Sequence, residues 1–138
     1  MSQFVELAQQ LFEALEDGKG FEPVAEHIVA GAPFVCDGIA DVKTLEAYYA
    51  WMQGFKSKTC PDFSYVIESR CSNDTDVTFV CSCEFTHTGE GGPKPPSNPP
   101  KRGSCWYSYT FRFNEEGKVV KMMKVFDWGQ AFKTVGWM

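Results

Sequence analysis

No stretch of this chain approaches the ~20 consecutive apolar residues that cross a bilayer. The opening Met1-Ser2-Gln3-Phe4-Val5-Glu6 has neither the basic start nor the apolar run of a secretion signal. Basic charge is scarce too: 13 Lys and Arg against 18 Asp and Glu leave a net charge of −5. A protein that depends on phosphate contacts presents a basic face, so neither nucleic acid nor membrane is an expected partner. Six cysteines are present (Cys36, Cys60, Cys71, Cys81, Cys83 and Cys105), but no CxxC pair or histidine cluster accompanies them to hold zinc. The expected address is cytoplasmic, with the thiols reduced and most of them acting as small buried residues. Phosphate loops, nucleophile motifs and internal repeats are also missing, so the expectation is no metal and no cofactor.

What the chain does have is bulk. Hydrophobic residues make up 43% of its 138 positions and aromatics 15%, including 12 Phe. That is enough to bury a core within one domain spanning residues 1–138. A helical period governs the first part. Residues 2–17 place Phe4, Leu7, Ala8, Leu11 and Leu15 on one stripe, with Ser2 as N-cap and Glu6, Gln9, Gln10, Glu13 and Glu16 on the other side. A second helix is predicted over 22–30, with Pro23 in its first turn. Phe34-Val35-Cys36 reads as a short strand stopped by Asp37-Gly38, and Asp41 as the cap of a third helix reaching about Ser57. That helix is apolar on two faces, through Leu45, Tyr49 and Met52 and through Tyr48, Trp51 and Phe55, which marks burial between layers or at a subunit contact.

From Phe63 onward the period becomes two. Strands are predicted over 63–71, 77–88, 104–113 and 118–126, with an irregular Gly/Pro-rich loop over 89–103. Asp127 with Gln130 three residues on opens a closing helix. Helices first and strands after give an α+β fold: a curved antiparallel sheet wrapped round three N-terminal helices, a cone with an apolar pocket at its open end. Alternation turns Phe85, His87, Tyr107, Tyr109 and Phe111 inward and Trp106 outward. Leu11, Phe34, Tyr49, Phe85, Tyr107 and Phe111 are the expected pocket wall. An outward Trp on a Ser/Thr-rich face is either a homodimer surface or a ring lying under the 89–103 loop.

Three stretches resemble the nuclear transport factor 2-like superfamily, and within it the SnoaL-like polyketide cyclases. They are Pro61-Asp62-Phe63-Ser64-Tyr65-Val66-Ile67-Glu68, then Thr86-His87-Thr88-Gly89-Glu90, then the run from Gly117-Lys118-Val119-Val120 to Val125-Phe126-Asp127. The resemblance implies a curved sheet with three helices, a deep pocket and a dimer. Met122-Met123 stands where such cyclases often carry His-Trp, and the loop after Gly89 is longer and richer in Pro. More distantly, Phe34-Val35-Cys36-Asp37-Gly38 resembles the ketosteroid isomerase strand end that carries the general base, which Asp37 would match. The same register sets Tyr109 at the position of its oxyanion-hole aspartate and Leu11 at that of its oxyanion-hole tyrosine.

Asp37, His87 and Tyr109 are thus the candidate catalytic residues. A carboxylate at an apolar mouth has its charged form disfavoured and becomes a useful base, while a neighbouring O–H or N–H can stabilise charge on a carbonyl oxygen. Each has a plainer reading as turn residue, loop-bonded histidine or satisfied core tyrosine. Two functions stand: acid–base isomerase or cyclase chemistry on a small apolar carbonyl compound, or a non-catalytic ligand-binding or dimerisation module. Convergence of the three residues on one point favours the first, and dispersal the second.

Overall fold

The computed structural model describes residues 3–39 and 41–138. Helix α1, Val5–Glu16, turns Ala8, Leu11, Phe12 and Leu15 to the core and is stopped by Gly18 at φ 69°. Its proposed cap, Ser2, lies outside the described residues. The expected second helix is a 3-10 segment, Glu22–His27. Strand β1, Phe34–Val35, leads to helix α2, Leu45–Gly54, which runs on into a π turn over Phe55–Thr59. Thr44 rather than Asp41 caps α2, its hydroxyl accepting from Ala47 N at 3.2 Å.

Four long strands follow: β2 Ser64–Ser72, β3 Asp76–Thr86, β4 Arg102–Phe113 and β5 Val119–Phe126. Helix α3, Trp128–Val135, closes the chain, and the Asp127 carboxylate accepts from Gln130 N at 3.1 Å, as the spacing predicts. The sheet order is β1-β5-β4-β3-β2. β2 to β5 form the expected antiparallel meander, but β1 joins β5 in parallel, pairing Phe34 with Met122. Among the described residues α1, the 3-10 segment, and α2 with its π turn precede the meander, so the expectation of three N-terminal helices is corrected: the second is a short 3-10 piece, while the closing helix is where the sequence predicts it. Register shifts at Ile67/Ser69 and Arg112/Phe113 bend the strands, as β-bulges do.

The core lies between the inward sheet face and α1 with α2. Phe12 meets Phe79 at 4.8 Å, Phe4 stacks on Phe113 at 4.7 Å, and Tyr49 donates to the Leu11 carbonyl at 2.8 Å. Cys60, Cys81, Cys83 and Cys105 are buried free thiols, as small apolar residues would be, whereas Cys71 is exposed. No helix among the described residues is long and apolar enough to cross a membrane.

Candidate functional site

Two charged side chains are fully enclosed in this core, and the sequence reading placed neither of them there. The sequence pattern sets Glu16 on the solvent side of α1, yet it stands four residues after Phe12 and eight after Ala8, on the buried stripe. Lys124 alternates with Met122 and Phe126 along β5 and so faces inward. Glu16 is 0% exposed and Lys124 6%, a placement that charged residues tolerate only with partners.

The partners are tyrosines. Lys124 Nζ donates to Tyr48 OH at 2.7 Å, Tyr48 and Tyr109 hydroxyls meet at 2.5 Å, and Tyr109 donates to Glu16 Oε1 at 2.6 Å. Tyr107 donates to Glu16 Oε2 at 2.7 Å. A phenol has one proton to give, and Tyr109 gives its own to Glu16. Tyr48 must therefore donate to Tyr109, and the chain runs one way: Lys124, Tyr48, Tyr109, Glu16. No direct ion pair links Lys124 to Glu16 among the described residues, so their coupling passes through the two hydroxyls.

Burial shapes the charge states. Desolvation pushes the Glu16 carboxyl above its ordinary value, opposed by the Tyr109 hydrogen bond and the Lys124 charge. Desolvation likewise pulls the Lys124 ammonium below its ordinary value, opposed by Glu16. Acid and base are thereby drawn toward each other. Burial also raises Tyr48, Tyr107 and Tyr109, so all three stay protonated and able to relay. Moving one proton along the chain would reverse every donor and leave a neutral amine and a neutral acid, with no heavy atom displaced.

Around the amine stand aromatic rings: Phe126 at 4.6 Å, Tyr48 at 5.0 Å, Tyr109 at 5.4 Å and Trp51 at 5.6 Å from centroid to Nζ. Such faces stabilise a cation and exclude water. Lys124, Tyr107, Tyr109 and Phe85 line an inner cavity of about 20 Å³, room for one water. Trp51, Phe55, Trp128 and Trp137 are shared between it and an outer groove of about 580 Å³, whose lining includes the strap Glu90, Gly91, Gly92 and Pro93. That strap is pinned where Gly89 N donates to the Thr59 carbonyl at 3.1 Å. A Cβ on Gly92, at φ +83°, would lie 3.0 Å from the His87 ring, so only glycine lets the strap lie this close.

Of the residues singled out from sequence, Tyr109, Phe85 and Tyr107 line the inner cavity. Leu11, Phe34, Tyr49 and Phe111 are buried in the core and line neither space. His87 is buried, its Nδ1 accepting from Trp137 Nε1 at 2.8 Å, and its Nε2 has no partner among the described residues. Asp37 is exposed in its turn; its backbone carbonyl accepts from Trp128 Nε1 at 2.6 Å, and its neighbour Gly38 lines the groove. Asp37 and His87 thus each hold a tryptophan of the partition, while among the described residues no hydrogen bond joins either of them to Tyr109. The polar groups that do converge are Glu16, Tyr48, Tyr107, Tyr109 and Lys124. Trp106 is 56% exposed on the outer face and is not covered by the 89–103 loop.

No family model matches the sequence, and no curated protein matches it. Solved structures do match the fold. IdmH, a candidate polyketide cyclase from Streptomyces antibioticus, superposes with a TM-score of 0.76 at 18% identity, over 97% of this chain and 99% of its own. A candidate SnoaL-like polyketide cyclase from Jannaschia sp. CCS1 gives 0.72 at 20% identity, over 96% and 91%. An LEH-like epoxide hydrolase of M. tuberculosis gives 0.67 at 13% identity, over 97% and 90%. The chain shares the nuclear transport factor 2-like fold with these neighbours. At these identities the likeness speaks for the fold.

Proposed function

We propose that this chain binds a small, largely apolar carbonyl compound in the groove and carries out cofactor-independent isomerase- or cyclase-type acid–base chemistry on it. The observation that carries the reading is Lys124: an amine in an aromatic enclosure, facing a cavity and tied by a one-way chain to a buried carboxylate. The substrate's carbonyl oxygen sits against the ammonium, whose charge stabilises the negative charge that develops there as the adjacent carbon loses a proton. The candidate base for that proton is Asp37, exposed in the turn beside the groove residue Gly38. Tyr109, Tyr48 and Glu16 position the ammonium and balance its charge; His87 holds Trp137 in the wall. Candidate cyclases and an epoxide hydrolase among the structural neighbours support a fold able to house such chemistry.

Proton–deuterium exchange at the α-carbons of 4-phenylbutan-2-one, followed by NMR, tests this, with tryptophan fluorescence reporting occupancy. The expected result is quenching with exchange faster than in buffer, lost in Lys124→Met and slowed in Asp37→Asn. Quenching without faster exchange would leave the binding-module reading, which the lack of any hydrogen bond joining Asp37 or His87 to Tyr109 favours. The outer sheet face also supports a homodimer: Val66, Trp106 and Val125 are 57%, 56% and 71% exposed on it. Native mass spectrometry of Trp106→Glu against the parent checks that contact, a monomeric parent being the contrary result.

A further inference from the structure

We propose that Lys124 is a covalent nucleophile: its amine condenses with the carbonyl carbon of the occupant to form an imine on the floor of the cavity. The inference rests on the reading that the pocket takes a carbonyl compound, and goes beyond it by giving the lysine a bond to make.

Three features of the site carry it. First, the amine is placed for attack. Lys124 lines the inner cavity, and among the described residues its one hydrogen bond is to Tyr48. An ammonium has three donors, so the rest of the nitrogen faces ring surfaces and the cavity rather than fixed acceptors. A lysine kept only as a structural cation would be expected to have its protons engaged by carboxylates or backbone carbonyls.

Second, the site contains its own route to the neutral amine. Along the chain Lys124, Tyr48, Tyr109, Glu16, one proton passes at each hydroxyl, and the carboxylate at the end receives it. The products are R–NH2 and R–COOH, so the enclosed site stays neutral overall and no proton has to come from water. Burial favours this direction, since it penalises the ammonium and the carboxylate together. Desolvated lysines of this sort are the ones that attack carbonyls.

Third, the surroundings suit the product. The step forms an N–C bond as the carbonyl π pair moves to oxygen. Two protons from the nitrogen then leave with that oxygen as one water, giving C=N. The inner cavity of about 20 Å³ has room for the one water released, and the aromatic enclosure keeps bulk water from the imine. The imine, once protonated by the relay, draws electrons from its α-carbon more strongly than a carbonyl does, which serves the same proton-transfer chemistry. An occupant reaches the amine by displacing the Trp51, Phe55, Trp128 and Trp137 partition, so it enters end-on with its carbonyl leading.

The experiment uses 1-phenylbutane-1,3-dione, which condenses with a neutral amine to a vinylogous amide that is stable without a reductant. Intact-mass and peptide-mapping spectra locate the adduct, and tryptophan fluorescence follows occupancy in parallel. The expected result is one adduct per chain, at Lys124, with a mass gain of the diketone less one water. Lys124→Arg, which keeps the cation and its donors, loses the adduct completely but still shows quenching. Quenching with no adduct at Lys124, or adducts spread over the surface lysines, overturns the imine and leaves the pocket reading standing. Absence of both quenching and adduct overturns the two together. Should Lys124→Arg fail to fold, the peptide map of the parent chain alone decides, because it names the modified lysine.

Discussion

Strand β4 carries charge partners on both of its faces, under opposite conditions. Inward, Tyr107 and Tyr109 hold the fully buried Glu16 carboxylate. Outward, Arg112 meets Asp76 through Nε at 3.0 Å, and Arg102 contacts Asp62, with both arginines nearly half exposed. The inner bonds are the shorter, 2.6 and 2.7 Å against 3.0 Å, and the stakes differ as well. A surface pair exchanges one good environment for another, and salt screens it. An enclosed pair has no alternative partner, so loss of one member strands the other. The same strand therefore gives a direct comparison of what a charge contributes on each side of one sheet.

The largest effect is expected from breaking the inner pair. Lys124→Met alone should destabilise the fold by about 3–5 kcal/mol in urea unfolding, as removal of one partner of a buried pair does. Glu16→Gln combined with it should recover a large part, since no charge is then left stranded. The pH dependence sharpens this. Without Lys124 the Glu16 carboxyl loses one of the influences that hold it down, so it rises further above its ordinary 4.5. A carboxyl raised on folding binds more protons folded than unfolded. The stability it contributes is present below 4.5 and is lost as pH rises through the folded value. Lys124→Met should therefore lie closer to the parent in acid than at neutral pH; a gap that widens toward acid would break the comparison.

Next come the tyrosines. Tyr109→Phe cuts the relay and removes a bond to a charged acceptor, a loss of about 1.5–3 kcal/mol. Tyr107→Phe removes a donor to Glu16 that stands outside the chain from Lys124 and should cost less, so equal losses would argue against a directional chain. The smallest effect is expected outside. Arg112→Ala should lower Tm slightly, and the difference should vanish in high salt. Arg112's hydrogen bond to Asp76 holds that carboxyl below its ordinary 3.8. The stability this gives is present above 3.8 and lost as pH falls through the lower folded value, which acid titration of parent and variant would reveal.

The strands were legible because a period of two needs no knowledge of partners. Tyr107 and Tyr109 were turned inward, and Trp106 outward, by alternation alone. The second helix was misjudged because its stripe of Val24, Ala25 and Ile28 fits a 3-10 segment as well as an α-helix. β1's parallel pairing joins residues far apart in the chain, and nothing local to Phe34-Val35 signals it. The charged floor escaped for a related reason. Glu16 is a good helix former and reads as solvent-facing until its partners arrive from β4, 91 and 93 residues later. Lys124 did leave a signal, since the alternation that turns Met122 and Phe126 inward turns it inward too. Asp37, the more conspicuous carboxylate by its Asp-Gly context, lies in an exposed turn.

The state of Lys124 can be read directly by NMR, from its side-chain resonance across an alkaline titration in the parent chain and in Glu16→Gln. The account predicts a midpoint below the ordinary 10.5 in the parent, and a lower one still once Glu16, which favours the charged form, is neutral. A midpoint at or above 10.5 in both would show a solvated ammonium and contradict the buried relay.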